Sequence, residues 1–266
     1  MSFSITDKTA IVTGASSGVG LAIARHFAEH GANVLFADAD MKALRTAMGP
    51  DKKNMVCFAG DFREKLSRTN LLHETISQFG HVDILVNAAR QVTIGMPGDN
   101  NSSALEEMIE RNLRQNYDLS WLVAKRFVVQ AESRAESHDV IGAIVNVSSI
   151  AAQRTVPELV EYSISCAAQD QLTRTMALAL APQKIRVNAV SFGSVMSKSL
   201  AGQLKENPGH RDEIIDATPL GRIAEAEDVA EAVQFLVSGS SRFITGQILN
   251  VDGGRSLLDR ARSPYH

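Results

Sequence analysis

Tyr162 is followed four residues later by Cys166, in the segment Tyr162-Ser163-Ile164-Ser165-Cys166-Ala167-Ala168. The pattern runs on through Leu172, Met176 and Leu180 as a helix. Residues four apart on a helix share a face, so a phenol and a thiol point into one place. A phenol there can exchange a proton with a reacting oxygen. A second chemical feature lies near the N-terminus, where Thr13-Gly14-Ala15-Ser16-Ser17-Gly18-Val19-Gly20 follows an apolar run and opens a helical one. Gly14, Ser17, Gly18, Val19 and Gly20 in this setting permit a tight turn and a close backbone approach to a pyrophosphate, which rests against the free N–H groups of a helix start. Asp38 comes about twenty residues later, where an acid accepts hydrogen bonds from adenosine ribose hydroxyls and repels a 2′-phosphate. Ala39 and Asp40 follow it with no arginine clamp, so NAD(H) is favoured over NADP(H).

These residues need elements to carry them. The short runs Lys8–Val12, Asn33–Phe36, Asn54–Phe58, Val82–Val86, Ile141–Val147, Ile185–Val190 and Gln247–Val251 read as strands. Most are continuously apolar rather than alternating, as strands buried on both faces of a parallel sheet are. Helical patterns lie between them at Val19–His30, Met41–Met48, Glu64–Phe79, Ala104–Ala131, Glu161–Ala181 and Asp228–Leu236. This alternation implies an α/β fold of the doubly wound kind, a mostly seven-stranded parallel sheet with helices on both faces. The stretch 195–219 is polar, broken by Gly202, Pro208 and Gly209, and long for a connection, which points to a substrate lid.

Bulk properties narrow the class. The 266 residues carry 44% hydrophobic content and no linker-like break, so a single dinucleotide-binding domain spanning 1–266 is expected, with a polar, arginine-rich tail at 255–266. A net charge of −3 leaves no basic footprint for nucleic acid. No apolar run approaches a membrane span, and the first residues form no signal-peptide pattern. Cys57 and Cys166 are the two cysteines, with no cluster at ligand spacing, so no metal and no disulfide framework are expected. A soluble, cytoplasmic protein follows as the expectation.

The segment Asn146-Val147-Ser148-Ser149 followed by Tyr162, together with the Gly-x-x-x-Gly-x-Gly turn, resembles the short-chain dehydrogenase/reductase family over about Asp7 to Gly254. The resemblance implies a Rossmann-type fold and hydride transfer between an alcohol carbon and a nicotinamide ring. It implies Tyr162 as acid/base, Ser149 on the substrate oxygen and Asn116 as the asparagine that helps order a proton-relay water, with Asn112 a competing candidate. Asp61 and Phe62 fall at the family's adenine contact and Asn87 at the start of its Asn-Asn-Ala-Gly. Gly193, Val195 and Ser197 fall where the family meets the nicotinamide carboxamide. A small alcohol or ketone substrate and a homotetramer or dimer are implied as partners.

Four positions depart from that pattern. Ala88 stands for an asparagine, Arg90 for a glycine, Phe192 for a proline, and Cys166 for the lysine of Tyr-x-x-x-Lys. The lysine matters by magnitude: a free tyrosine titrates near ~10, and acting as a base near neutrality needs a drop of roughly two to three units, or ~3–4 kcal/mol. A neutral thiol supplies none of it, and its plainest role is to fill a small buried gap. Arg90 is open to two readings, a side chain pointing to solvent or one reaching the substrate mouth, and Arg90 and Arg154 both stand where a substitute cation could act. Two functions remain in view: an NAD(H)-dependent oxidoreductase with weakened acid/base chemistry, or a non-catalytic NAD-binding pseudoenzyme acting as sensor or hetero-oligomer partner.

Overall fold

The apolar runs become the strands β1 (Thr9–Thr13), β2 (Asn33–Asp38), β3 (Met55–Ala59), β4 (Ile84–Asn87), β5 (Gly142–Ser149), β6 (Ile185–Phe192) and β7 (Ile248–Val251). The structure is a computed structural model and describes residues 3–50, 52–95, 103–133 and 140–259. All seven strands pair in parallel in the order β3-β2-β1-β4-β5-β6-β7. Hydrophobicity alone ends two of these strands early. Backbone pairing carries them past Val147 and Val190, with Ser148 opposite Ser191 and Ser149 opposite Phe192. The two strands therefore deliver Ser149 and Phe192 together to the same end of the sheet.

Successive residues on each strand face opposite ways, and the core divides accordingly. Ala10, Val12 and Val145 pack on one face under α1 (Gly18–Glu29), α2 (Met41–Met48) and α9 (Ala226–Val237), through Phe27, Leu44 and Val233. Ile11, Leu85 and Ile144 pack on the other under α3 (Lys65–Phe79), α5 (Gln115–Ser133) and α6 (Val160–Leu180), through Leu71, Phe127 and Met176. Each buried Val, Leu, Ile, Phe or Met side chain among these contributes about 1.5–3 kcal/mol by leaving water. Winding reverses direction between β1 and β4, and ligands of open α/β sheets bind outside the strand carboxyl ends at such a point.

One expected helix is broken, and one long connection is helical in part. The helix expected over Ala104–Ala131 is interrupted: α4 (Ala104–Ile109) leads into a π-helical turn at Glu110–Arg114 before α5 begins. That turn changes which residues of the helix share a face. The stretch 195–219, expected as a substrate lid, contains α7 (Lys198–Glu206), whose N-terminus Ser197 caps, and α8 (Gly209–Asp216). Of the expected tail, residues 260–266 lie outside the described residues, while Arg255–Leu257 form a short 3₁₀ turn. Among the described residues no helix is long and apolar enough to cross a membrane.

Candidate active site

A cleft of about 1050 Å³ opens at the winding reversal. Backbone makes one end of it. Gly14 has φ of 67°, and a Cβ there would lie 2.7 Å from the Ala88 carbonyl oxygen. A Cβ on Gly20 would lie 2.2 Å from the Gly14 carbonyl oxygen, so α1 can start against the turn only with glycine at that position. Thr13 locks β1 to the end of β4, its Oγ1 accepting from the Ala88 and Ala89 N–H groups at 3.1 Å each. Ser17 gives α1 no side-chain cap, which leaves first-turn N–H groups for a ligand. Asp38 ends β2 on the cleft, its Oδ2 accepting from Ser16 N at 3.1 Å and its Oδ1 from Ala39 N at 2.7 Å. Gly18 and Val19 line the same wall, with Asp61 and Phe62 beside them. Arg63 grips the Asp61 carboxylate and holds it down at about 2, so that acid stays charged. A glycine cradle, an uncapped helix start and a ribose-height carboxylate together fit a dinucleotide.

Side chains make the other end. Ser149 at the tip of β5 and Tyr162 in the first turns of α6 both line the cleft. Ser149 Oγ also accepts from Ala151 N at 3.2 Å, which fixes its rotamer. Arg90, just past β4, is an exposed residue, yet its Nη1 donates to the Tyr162 hydroxyl at 2.5 Å. The same guanidinium lies 4.2 Å from the centre of the Phe192 ring. Burial pushes the Tyr162 phenol up to about 12, against the opposing pull of Arg90 and the Ser149 hydrogen bond, and with a further upward push from Cys166. Burial likewise pushes the Cys166 thiol up to about 11, so it is neutral. It packs with Tyr162 and Ala151 as a small apolar filler.

Gly193 and Val195 also face the cleft, as does Ser197, although its Oγ is engaged by Leu200 N at 3.1 Å. Some expected residues point elsewhere. Asn87 is fully buried, its Nδ2 donating to Asn146 Oδ1 at 2.8 Å and Ser120 Oγ at 2.9 Å, so Ala88 and Ala89 form the wall instead. Asn116 donates to the Asn112 carbonyl at 2.9 Å, one turn back across the π turn, and does not line the cleft. Asn112 is the asparagine with a bridging place. It clamps the Gln91 backbone at 2.8 Å on both N–H and C=O, and donates to Ser165 Oγ at 3.0 Å, which in turn donates to the Tyr162 carbonyl at 2.7 Å. Arg154 is held by the Ser256 carbonyl and does not reach Tyr162.

A family model described as enoyl-(acyl carrier protein) reductase matches residues 14–256. The chain belongs to the short-chain dehydrogenase/reductase family. An uncharacterized oxidoreductase of Methylorubrum extorquens is 32% identical over 260 residues, covering 93% of this chain and 97% of that protein. A 3-oxoacyl-[acyl-carrier-protein] reductase of Chlamydia muridarum is 32% identical over 257 residues, covering 94% and 98%. Among solved structures, a 3-ketoacyl-(acyl-carrier-protein) reductase from Brucella melitensis complexed with NADH superposes with a TM-score of 0.86 at 30% identity, covering 95% of this chain and all of that one. Within this short-chain dehydrogenase/reductase, three of the departures from the family pattern meet at one group: Arg90 and Cys166 flank the Tyr162 hydroxyl, and Phe192 stacks on Arg90.

Proposed function

We propose that this oxidoreductase uses NAD(H) to interconvert a secondary alcohol and a ketone by hydride transfer, with Tyr162 moving the proton and Ser149 holding the substrate oxygen. One observation carries this: Ser149 and Tyr162 share a cleft with the uncapped start of α1 and with Asp38. When bound, the cofactor supplies the hydride chemistry. The chain's own residues do the rest. The glycine turn and the α1 N-terminus take the pyrophosphate, and Asp38 takes the ribose hydroxyls and turns away a 2′-phosphate. The Brucella melitensis relative, solved with NADH, supports the same choice.

Tyr162 at about 12 is a phenol across the physiological range. A protonated tyrosine can donate to the oxygen of a ketone being reduced but cannot accept from an alcohol being oxidised. The expected direction near neutrality is therefore reduction. Ketone reduction should hold level from neutral into alkaline pH, while alcohol oxidation climbs with pH toward the Tyr162 value. Fluorescence titration with NADH and NADPH, then rates against pH on a panel of ketones and 3-ketoacyl thioesters, tests both points. A rate of reduction that titrates away near neutrality would rule out Tyr162 as the donor. The second reading, a pseudoenzyme, is favoured by Cys166 in the lysine's place; NADH binding with no turnover at any pH selects it. No binding of either nucleotide removes both.

A further inference from the structure

We infer that Arg90, braced by Phe192, is the cation that stabilises the Tyr162 phenolate, delivered from the β4 side of the cleft instead of from α6. The inference rests on Tyr162 as the proton donor. Arg90 Nη1 donates to the phenol oxygen at 2.5 Å, so the guanidinium does not take up the hydroxyl proton. Proton transfer to a substrate leaves a phenolate 2.5 Å from a permanent positive charge. The step balances: NADH and one solvent proton are consumed while NAD+ and the alcohol form, the Tyr162 proton going to the carbonyl oxygen and the solvent proton restoring the phenol.

Three of the four departures from the family pattern acquire a reason under this assignment. A glycine after β4 could carry no cation; Arg90 does. A proline at the end of β6 offers no flat π face, whereas the Phe192 ring lies 4.2 Å from the guanidinium, within cation–π range. Guanidinium is weakly hydrated and stacks well, which suits it to a half-open site. With that charge in place, a second cation on α6 would be repelled, and neutral Cys166 fills the volume. Asn112 holds the pieces in register, since it grips Gln91 next to Arg90 and, through Ser165, the backbone of Tyr162. The other cations of the cleft are engaged elsewhere or do not touch the phenol: Arg63 is on Asp61 and Arg111 on Glu107, and Lys198 makes no described contact with Tyr162. The titratable groups facing Tyr162 are thus Arg90 from the β4 side and Cys166 from its own helix.

The test reads Tyr162 without turnover. Incorporating 3-fluorotyrosine lowers the phenol's titration into a range where the fold survives, and fluorine NMR follows it, assigned by Tyr162→Phe. Arg90→Ala should move that titration up by about one pH unit, a tenfold change, with the exposure of Arg90 keeping the effect below that of a buried pair. Added guanidinium ion should reverse the shift. Phe192→Leu should shift it partway, and Phe192→Tyr, which keeps the ring, should not. In NADH-loaded enzyme, Arg90→Ala should lower kcat about tenfold and leave KM for the ketone unchanged. An unshifted Tyr162 titration in Arg90→Ala overturns the inference. A shifted titration in a protein that reduces no ketone, wild type included, supports the Arg90–Tyr162 pairing and overturns the oxidoreductase reading instead.

Discussion

The two ends of the cleft are built from different materials. At the glycine turn the shape is backbone: Gly20 sits so close to Gly14 that one added carbon would overlap it. At Tyr162 the shape is side chain, and the positive charge beside the phenol arrives from a different wall than the family's lysine would use. The contrast teaches which parts of an active site a fold dictates. Strand ends and helix starts settle where a pyrophosphate can lie. They settle where a tyrosine stands, but not which neighbour charges it, because any long side chain within reach can do that.

Three substitutions probe this division. Tyr162→Phe should cut ketone reduction by about 10²–10⁴ and leave NADH affinity unchanged; an equal loss of affinity would mean that the two ends do not work separately. Gly20→Ala should weaken NADH binding roughly a hundredfold and lower the melting temperature, since backbone has to shift to admit the methyl. Tyr162 should titrate normally in it, as fluorine NMR would show. The smallest effect is the most telling. Arg90→Gly should slow reduction about tenfold, and adding Cys166→Lys should recover most of that by returning the charge to α6. Failure of the double variant, if it folds and binds NADH, would show that Arg90 does something a lysine on the helix cannot.

The backbone end was legible in the sequence because its signals are local. The glycine turn, the start of α1 and Asp38 lie within one strand–helix–strand unit, and the apolar runs locate the sheet around them. The side-chain end was legible only in part. Ser149 and Tyr162 are set by adjacent elements, and both line the cleft. The asparagine was misplaced because the π turn at Glu110–Arg114 changes the helix register, and no residue there announces it. Asn112, not Asn116, consequently spans the segment after β4 and α6. Arg90 could not be aimed from sequence either: its direction depends on a ring at the end of β6, far along the chain. Asn87 read as a wall of the cleft, yet partners on β5 and α5 draw it inward.

An arginine beside the phenol has a consequence for how the site is wired. Guanidinium keeps its protons at any pH the protein meets, so it carries charge without conducting. A lysine can be both an electrostatic prop and a link in a proton wire; Arg90 is only the prop. With Tyr162 as the proposed proton donor, each phenolate would be refilled by solvent entering the open mouth of the cleft. In the proposed cycle solvent access at that mouth becomes a step of its own, and a substrate that seals the cleft would have to leave before the tyrosine could recharge.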